Sequence, residues 1–342
     1  MPDRNVAQSE LLLNDASEQA LFQDWLPLDI FQISSGQYKG VIREQKHNHS
    51  LIVHEKQNCA VHKQGIMPDE FCTVSFTTGN SGRVSELNSH EDTVFFIPGG
   101  TEFDVHIPAD IETTYFRFDQ SVFHKHARIL NPGFMENERQ NVQLFNSKNR
   151  RALEWFSHTL LSGDLPGNTY QEYNETFDLF IMEQILSSLY SPNEQPKALA
   201  SAATARRKAV NLVMNTLEYI KAEVNDQRCP SIVDICTEMQ VSERTLQYSF
   251  KKALDITPNT YLRYVRLNKA RTELRNPADE NVTVTEVAMR WNFWHLGNFA
   301  NIYLQMFNEL PSATLSRALC TASGQATPRD LPQKKGKRPD NC

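Results

Sequence analysis

Arg244, Gln247, Tyr248 and Lys251 recur at intervals of three and four residues. On a helix that spacing puts a guanidinium, an amide, a phenol and an ammonium on one face. The set suits DNA recognition, because Arg pairs with guanine, Gln with adenine, and Lys sits on phosphate. Asn298, Asn301 and Gln305 repeat the spacing with amides alone. Amides read adenine edges but do not neutralise phosphate. Either set by itself could equally be the solvated face of a helical hairpin. No nucleophile triad, phosphate loop or supported carboxylate pair occurs elsewhere, so the chemistry indicated is recognition, not bond breaking.

The elements that must carry these faces form a repeat. In SIVDICTEMQVSERTLQYSFKKALDITP, residues 231–258, Ile232, Ile235, Cys236 and Met239 share one face of a first helix. Ser242 is placed to cap a second helix, on which Leu246 and Phe250 face inward. Shifted by 53 residues, Leu246, Phe250, Leu254 and Pro258 match Phe299, Tyr303, Phe307 and Pro311. The preceding helix recurs at a shift of 52, with Ile232, Ile235 and Cys236 matching Val284, Val287 and Ala288, so the extra residue falls in the turn near Asn292. Asp255 and Asn308 end the second helices, and both tolerate a left-handed backbone. A helix over about 259–275 separates the copies. Two helix-turn-helices at fixed spacing suggest readers in successive major grooves, about 34 Å apart.

With those residues in view, 206–317 resembles the DNA-binding domain of the AraC/XylS family of bacterial transcription activators. Ser242, Arg244, Leu246, Phe250, Lys251, Pro258, Tyr261, Leu262, Arg266, Leu267 and Ala270 carry the likeness, with Val287, Ala288, Phe293, Phe299, Phe307 and Pro311 in the second copy. Asp255, Asn292 and Asn308 stand where the family has Gly, and Leu304 replaces a Lys. The second reader, 292–308, consequently has no Lys or Arg. The first is expected to supply most of the contact energy, and the second an A·T-leaning preference. Within the family, PGGTEF and WNFWHLGNFA look most like regulators of ethanolamine utilisation.

The formal net charge of −6 over 342 residues hides an asymmetry: −12 for 1–205, +3 for 206–317 and +3 for 318–342. The sign change assigns the nucleic-acid surface to the C-terminal third. The six cysteines form no CxxC pair, as expected of reduced thiols in a cytoplasm. MPDRNVAQSE lacks a signal pattern, and no apolar run reaches membrane length.

Residues 1–20 read as a loose helix. Strands are expected at 29–34, 38–45, 50–56, 59–64, 71–78, 93–97, 102–107 and 112–118, between turn residues such as Ser35-Gly36 and Pro98-Gly99-Gly100. Eight such strands predict a cupin-like β barrel or jelly roll over about 28–119. Helices follow at 121–130, 147–162 and 170–190, whose apolar stripes either pair two copies or pack on the barrel. The fold class expected is α+β: residues 1–190 as effector-binding and dimerisation domain, 191–205 as linker, 206–317 as an all-α double helix-turn-helix domain, and 318–342 as a disordered tail.

The run HNHSLIVHEK places His47, His49, His54 and Glu55 in a pattern similar to a cupin metal site, but Phe103 stands where the second motif has its His. A metal-dependent enzyme tethered to a DNA-binding domain is therefore the alternative reading, and no metal or cofactor is expected. The resemblance implies a small effector in the β domain, for which Trp25, Phe76, Phe96, Phe103 and Phe116 are the candidate aromatic lining or else plain core. It also implies an activator that meets double-stranded DNA and RNA polymerase, forms a homodimer and has no membrane partner.

Overall fold

Short apolar runs between glycine- and proline-marked turns become strands in the computed structural model, which describes residues 8–78, 82–85, 87–136, 141–147, 149–162, 174–189, 200–279 and 281–322. The chain divides into two compact units, 1–264 and 265–342.

In the first unit the eight expected segments are β2 Leu28–Gln32, β3 Gly40–Lys46, β4 Ser50–Gln57, β5 Val61–Ile66, β6 Phe71–Thr77, β9 Thr93–Ile97, β10 Glu102–Ile107 and β11 Glu112–Asp119. Four more strands accompany them: β1 Gln8–Leu13, β7 Arg83–Val84, β8 Leu87–Asn88 and β12 Gln143–Asn146. Residues 8–13 were expected to be helical. They pair instead with the edge of β3, Leu11 opposite Ile42, so that Leu13 is buried while Leu12 faces water. Only a short helix, α1 Glu18–Phe22, follows.

The strands form a seven-stranded sheet, β1-β3-β4-β11-β6-β9-β12, and a five-stranded sheet, β2-β5-β10-β7-β8. Both are open, which overturns the expected closed cupin-like barrel or jelly roll. The physical reason is visible in β11, whose two faces are both in use. Phe116 and Phe118 pack under helices α2 Gln120–Leu130, α3 Pro132–Glu136, α4 Arg150–Ser162 and α5 Asn174–Ser188, through Phe123, Phe134, Leu160, Ile181 and Ile185. Tyr115, on the other face, joins a core that Ile42, Leu51 and Val53 share with Ile30, Val61 and Ile107 of the five-stranded sheet. A sheet covered by helices on one side and a second sheet on the other buries its apolar surface without closing on itself. Each fully buried Phe contributes about 1.5–3 kcal/mol.

Helix α6 Ala200–Asn225 buries Val213, Leu217, Ile220 and Val224, and it lies along α8 Glu243–Leu254. Residues 191–199 of the expected linker 191–205, and 323–342 of the expected tail 318–342, lie outside the described residues. With α7 Ile232–Glu238, α8 and the first turns of α9 Pro258–Arg275 complete the first unit.

The second unit contains the rest of α9, then α10 Val284–Arg290, α11 Leu296–Phe307 and α12 Pro311–Ala322. Phe293, Phe299, Tyr303 and Phe307 pack ring against ring in succession at its centre, tilted at the first contact and edge to face at the next two. Arg271 lies over the Phe307 ring at 4.5 Å and reaches Glu309 at 3.4 Å. The Trp291 indole donates to Glu273 at 2.9 Å.

Candidate nucleic-acid interface

The first helix-turn-helix begins with a capping box, in which Ser231 accepts the Asp234 backbone N–H and Asp234 accepts that of Ser231. Two of the helix's free donors are thereby satisfied. Helix α7 stops at Gln240, which is left-handed with φ +53°, and the Val241 N–H closes the end on the Cys236 carbonyl at 3.0 Å. The Ser242 hydroxyl then accepts the Thr245 N–H, as its sequence position requires. On α8, Leu246 and Phe250 have no exposed surface, whereas Arg244, Gln247, Tyr248 and Lys251 are all exposed.

Three of these side chains, Gln247, Tyr248 and Lys251, have partners on the same helix or at its end. Gln247 donates to Glu243 at 2.8 Å, one turn earlier. Lys251 donates to the carbonyl of Asp255 at 2.9 Å and pairs with its carboxylate at 2.6 Å. The bond from Lys251 holds the Asp255 carboxyl below the usual carboxylate range. Lys252 lies against the Tyr248 ring at 5.4 Å. Asp255 itself is left-handed, φ +57°, which ends the helix cleanly.

The second copy repeats this geometry in its own unit. Thr283 and Glu286 form the capping box. Asn292, φ +62°, takes the place of Gln240, and the Phe293 N–H meets the Ala288 carbonyl at 2.8 Å. The turn into α11 is one residue longer than the turn into α8, and its N-cap, His295, makes no side-chain cap. Asn298, Asn301 and Gln305 are exposed, and Asn308 closes the helix with φ +54°. The sequence reasoning passed over Gln240, although its partner Asn292 at a shift of 52 was the available signal. It also passed over Trp294, which is 67% exposed directly before α11. At Gly297 an added Cβ would meet nothing within 4 Å, so no neighbour in the fold requires a glycine there.

The β-domain candidates separate into two groups. Phe76, Phe96 and Phe116 are buried on the helix side of the seven-stranded sheet, with Arg150 over Phe76 at 3.7 Å. Trp25 and Phe103 lie on the opposite side, in the cluster with Met67 and Ile97. The histidine run is dispersed by strand alternation. His49 pairs with Asp119 at 2.7 Å, His54 meets Thr114 at 3.0 Å, and Glu55 points into the sheet interior to bind Lys63. His47 is buried, and burial lowers its pKa and that of His54. Among the described residues no group of three His, Cys, Asp or Glu could hold a metal ion. Likewise, among them no helix is long and apolar enough to cross a membrane.

The family described as a helix-turn-helix domain matches residues 235–317. A segment of 106 residues is 37% identical to the probable thc operon regulatory protein of Rhodococcus erythropolis, covering 30% of this chain and 31% of that protein. The XylDLEGF operon transcriptional activator 2 of Pseudomonas putida is 39% identical over 94 residues, 28% of this chain and 60% of its own length. The chain therefore spans less than two thirds of either relative. A solved probable AraC family transcriptional regulator from Rhodopseudomonas palustris CGA009 is 35% identical, with 32% of this chain and 97% of that one covered and a TM-score of 0.29.

Proposed function

We propose, from the premise that residues 235–317 make this chain a member of the AraC/XylS family of helix-turn-helix regulators, that it is a sequence-specific transcription factor for double-stranded DNA. It acts as an effector-responsive activator of a catabolic operon, working with RNA polymerase in the cytoplasm. A small molecule in the β domain shifts the balance between two arrangements of the chain by binding one of them better. The helices between 120 and 188 pair two copies.

One observation carries this reading. The same capped helix, left-handed turn and second helix occur twice, each presenting polar side chains at base-reading spacing. Arg244, Gln247 and Tyr248 read bases from α8, with Lys251 moving from Asp255 to a phosphate. Asn298, Asn301 and Gln305 read adenine-rich sequence from α11. The narrower likeness to ethanolamine-utilisation regulators rests on two short runs, and the aligned relatives are named for other operons. No observation favours a metal-dependent enzyme, since His49, His54 and Glu55 have other partners.

The test is selection of randomised duplexes by the full-length chain. The expected result is a site with two boxes about one helical turn apart, G-containing at one and A·T-rich at the other, with affinity falling steeply as salt rises. Binding indifferent to sequence, or no binding, would overturn the reading.

A further inference from the structure

The second reader is not a polar copy of the first. Shifted by 53 residues, Leu246 and Phe250 of α8 become Phe299 and Tyr303 of α11, and both pairs are buried. The two helices therefore turn the same faces inward, and their outward positions correspond one to one. Thr245, Tyr248 and Lys252 become Asn298, Asn301 and Gln305, so these side chains stay polar. Glu243, Arg244, Gln247 and Lys251 become Leu296, Gly297, Ala300 and Leu304, and there every hydrogen-bonding side-chain group is gone.

These are not interior positions. In α8 all four are exposed, with Gln247 donating to Glu243 and Lys251 paired with Asp255. In α11 Leu296 is 38% and Leu304 40% exposed, and Gly297 is exposed as well. Leu296, Ala300 and Leu304 follow at intervals of four, so on a helix they form one stripe. The stripe runs beside the amides, with Leu304 one turn from Asn301. A lone exposed leucine is ordinary surface. An apolar stripe along a reading face that also has no Lys or Arg is different, because it forgoes phosphate attraction and base hydrogen bonds at the same positions.

The major groove contains one apolar group that such a stripe fits, the C5 methyl of thymine. In every A·T pair that methyl lies in the same groove as the N6 and N7 atoms of adenine. A row of amides beside a row of aliphatic side chains is complementary to the two halves of that pair. We propose that Leu296, Ala300 and Leu304 are specificity-determining residues of the second reader, and that they recognise thymine by its methyl group. Asn298, Asn301 and Gln305 take the adenines. Gly297, with no side chain, lets the start of α11 come close enough for Leu296 to reach a methyl. Thymine is thereby distinguished from cytosine and from uracil by burial of an apolar group and not by a hydrogen bond. This deepens the DNA-binding reading above and rests on it.

The experiment uses the full-length chain and fluorescein-labelled forms of the selected duplex. Deoxyuridine replaces thymidine either within the A·T-rich box or, as the control, elsewhere in the duplex. Uracil keeps the pairing and the O4 acceptor and lacks only the methyl. Affinity should fall about fourfold for each contacted methyl removed from the box, the scale of burying one such group, and should not change in the control. Leu296→Ser combined with Leu304→Ser, both at exposed positions, should make the thymine and uracil duplexes bind alike. Any effect of uracil on duplex shape would persist in that variant, so the substitution separates methyl contact from deformability. Leu304→Lys, which puts the cation of Lys251 into the second copy, should strengthen binding to both duplexes and narrow their difference, and provides the test if the double variant does not fold. Equal wild-type affinity for the two duplexes, or a difference that survives in the variants, would overturn the assignment and leave the regulator reading standing. Loss of self-association in the double variant with discrimination intact would give the stripe to a second copy of the chain and overturn it likewise. Absence of sequence-specific binding by the wild-type chain would remove the regulator reading itself, and the methyl assignment with it.

Discussion

The His62 imidazole on β5 meets the Tyr261 hydroxyl on α9 at 2.9 Å, and both side chains are buried. The other ring nitrogen of His62 faces Asp104, which also pairs with Arg83. A five-stranded sheet and a helix adjoining the first reader are thus joined by one polar chain. His62 gives one ring nitrogen to Asp104, which leaves Nδ1 to the Tyr261 hydroxyl. Tyr261→Phe would leave that nitrogen buried and unpaired. It is expected to lower unfolding free energy by about 1–3 kcal/mol, measured by urea titration. A neutral result would mean that water replaces the hydroxyl and that the two elements are not joined through it.

The same cluster predicts an acid limb. Burial would push the Asp104 carboxyl up, but Arg83 and His62 outweigh it and hold the group well below its ordinary range. His106 is pushed down from 6.5 to about 4 by burial and by the positive charges of Arg83 and His62, against the pull of Asp104 and Asp255. Both groups bind protons less readily folded than unfolded, so stability rises with pH across their windows. The His106 contribution is complete above its ordinary value of 6.5 and is lost as pH falls toward 4. The Asp104 contribution disappears at lower pH still. Melting temperature followed from pH 7.5 to 4 should decline, and His106→Phe should flatten the upper part of that decline. A flat profile in the wild-type chain would count against the His106 assignment.

Removal of single readers should have unequal effects. Arg244→Ala should cost about 1–3 kcal/mol of DNA binding and relax the preference for one guanine. Asn301→Ala should cost less, because α11 carries no cation to hold the backbone. Competition binding over single-base variants of the selected site measures both. Equal losses would refute the unequal division of labour between the two helices.

Gly297 offers a test in which stability and function move in opposite directions. An alanine there meets no neighbour in the fold, so Gly297→Ala should stabilise the helix by about 0.5–1 kcal/mol. If the backbone at the start of α11 approaches DNA closely, the same methyl group should weaken binding about tenfold or more, the effect of a small steric misfit at a tight interface. Thermal melts and DNA titrations on one preparation decide it. Stabilisation with unchanged DNA affinity would place α11 further from the groove than proposed.

Much of the candidate interface was legible in the chain before any coordinates. Ser242 had to cap, Leu246 and Phe250 had to face inward, and Asp255 and Asn308 had to turn left-handed, and each does so. These outcomes depend on neighbours three or four residues away and on backbone sterics, which a local pattern records fully. The eight central strands were readable for the same reason, through turns and alternation. Sheet closure was not. Whether β1 and β12 end a sheet or seal a barrel depends on what covers each face, and that is decided by helices far along the chain. Nor could local spacing reveal that Trp25 and Phe71 enclose Arg117, or that Tyr261 would find His62 from 199 positions away. Such pairs are chosen by how the packed layers come together, because only in the assembled core does a buried donor have a limited set of acceptors to choose from.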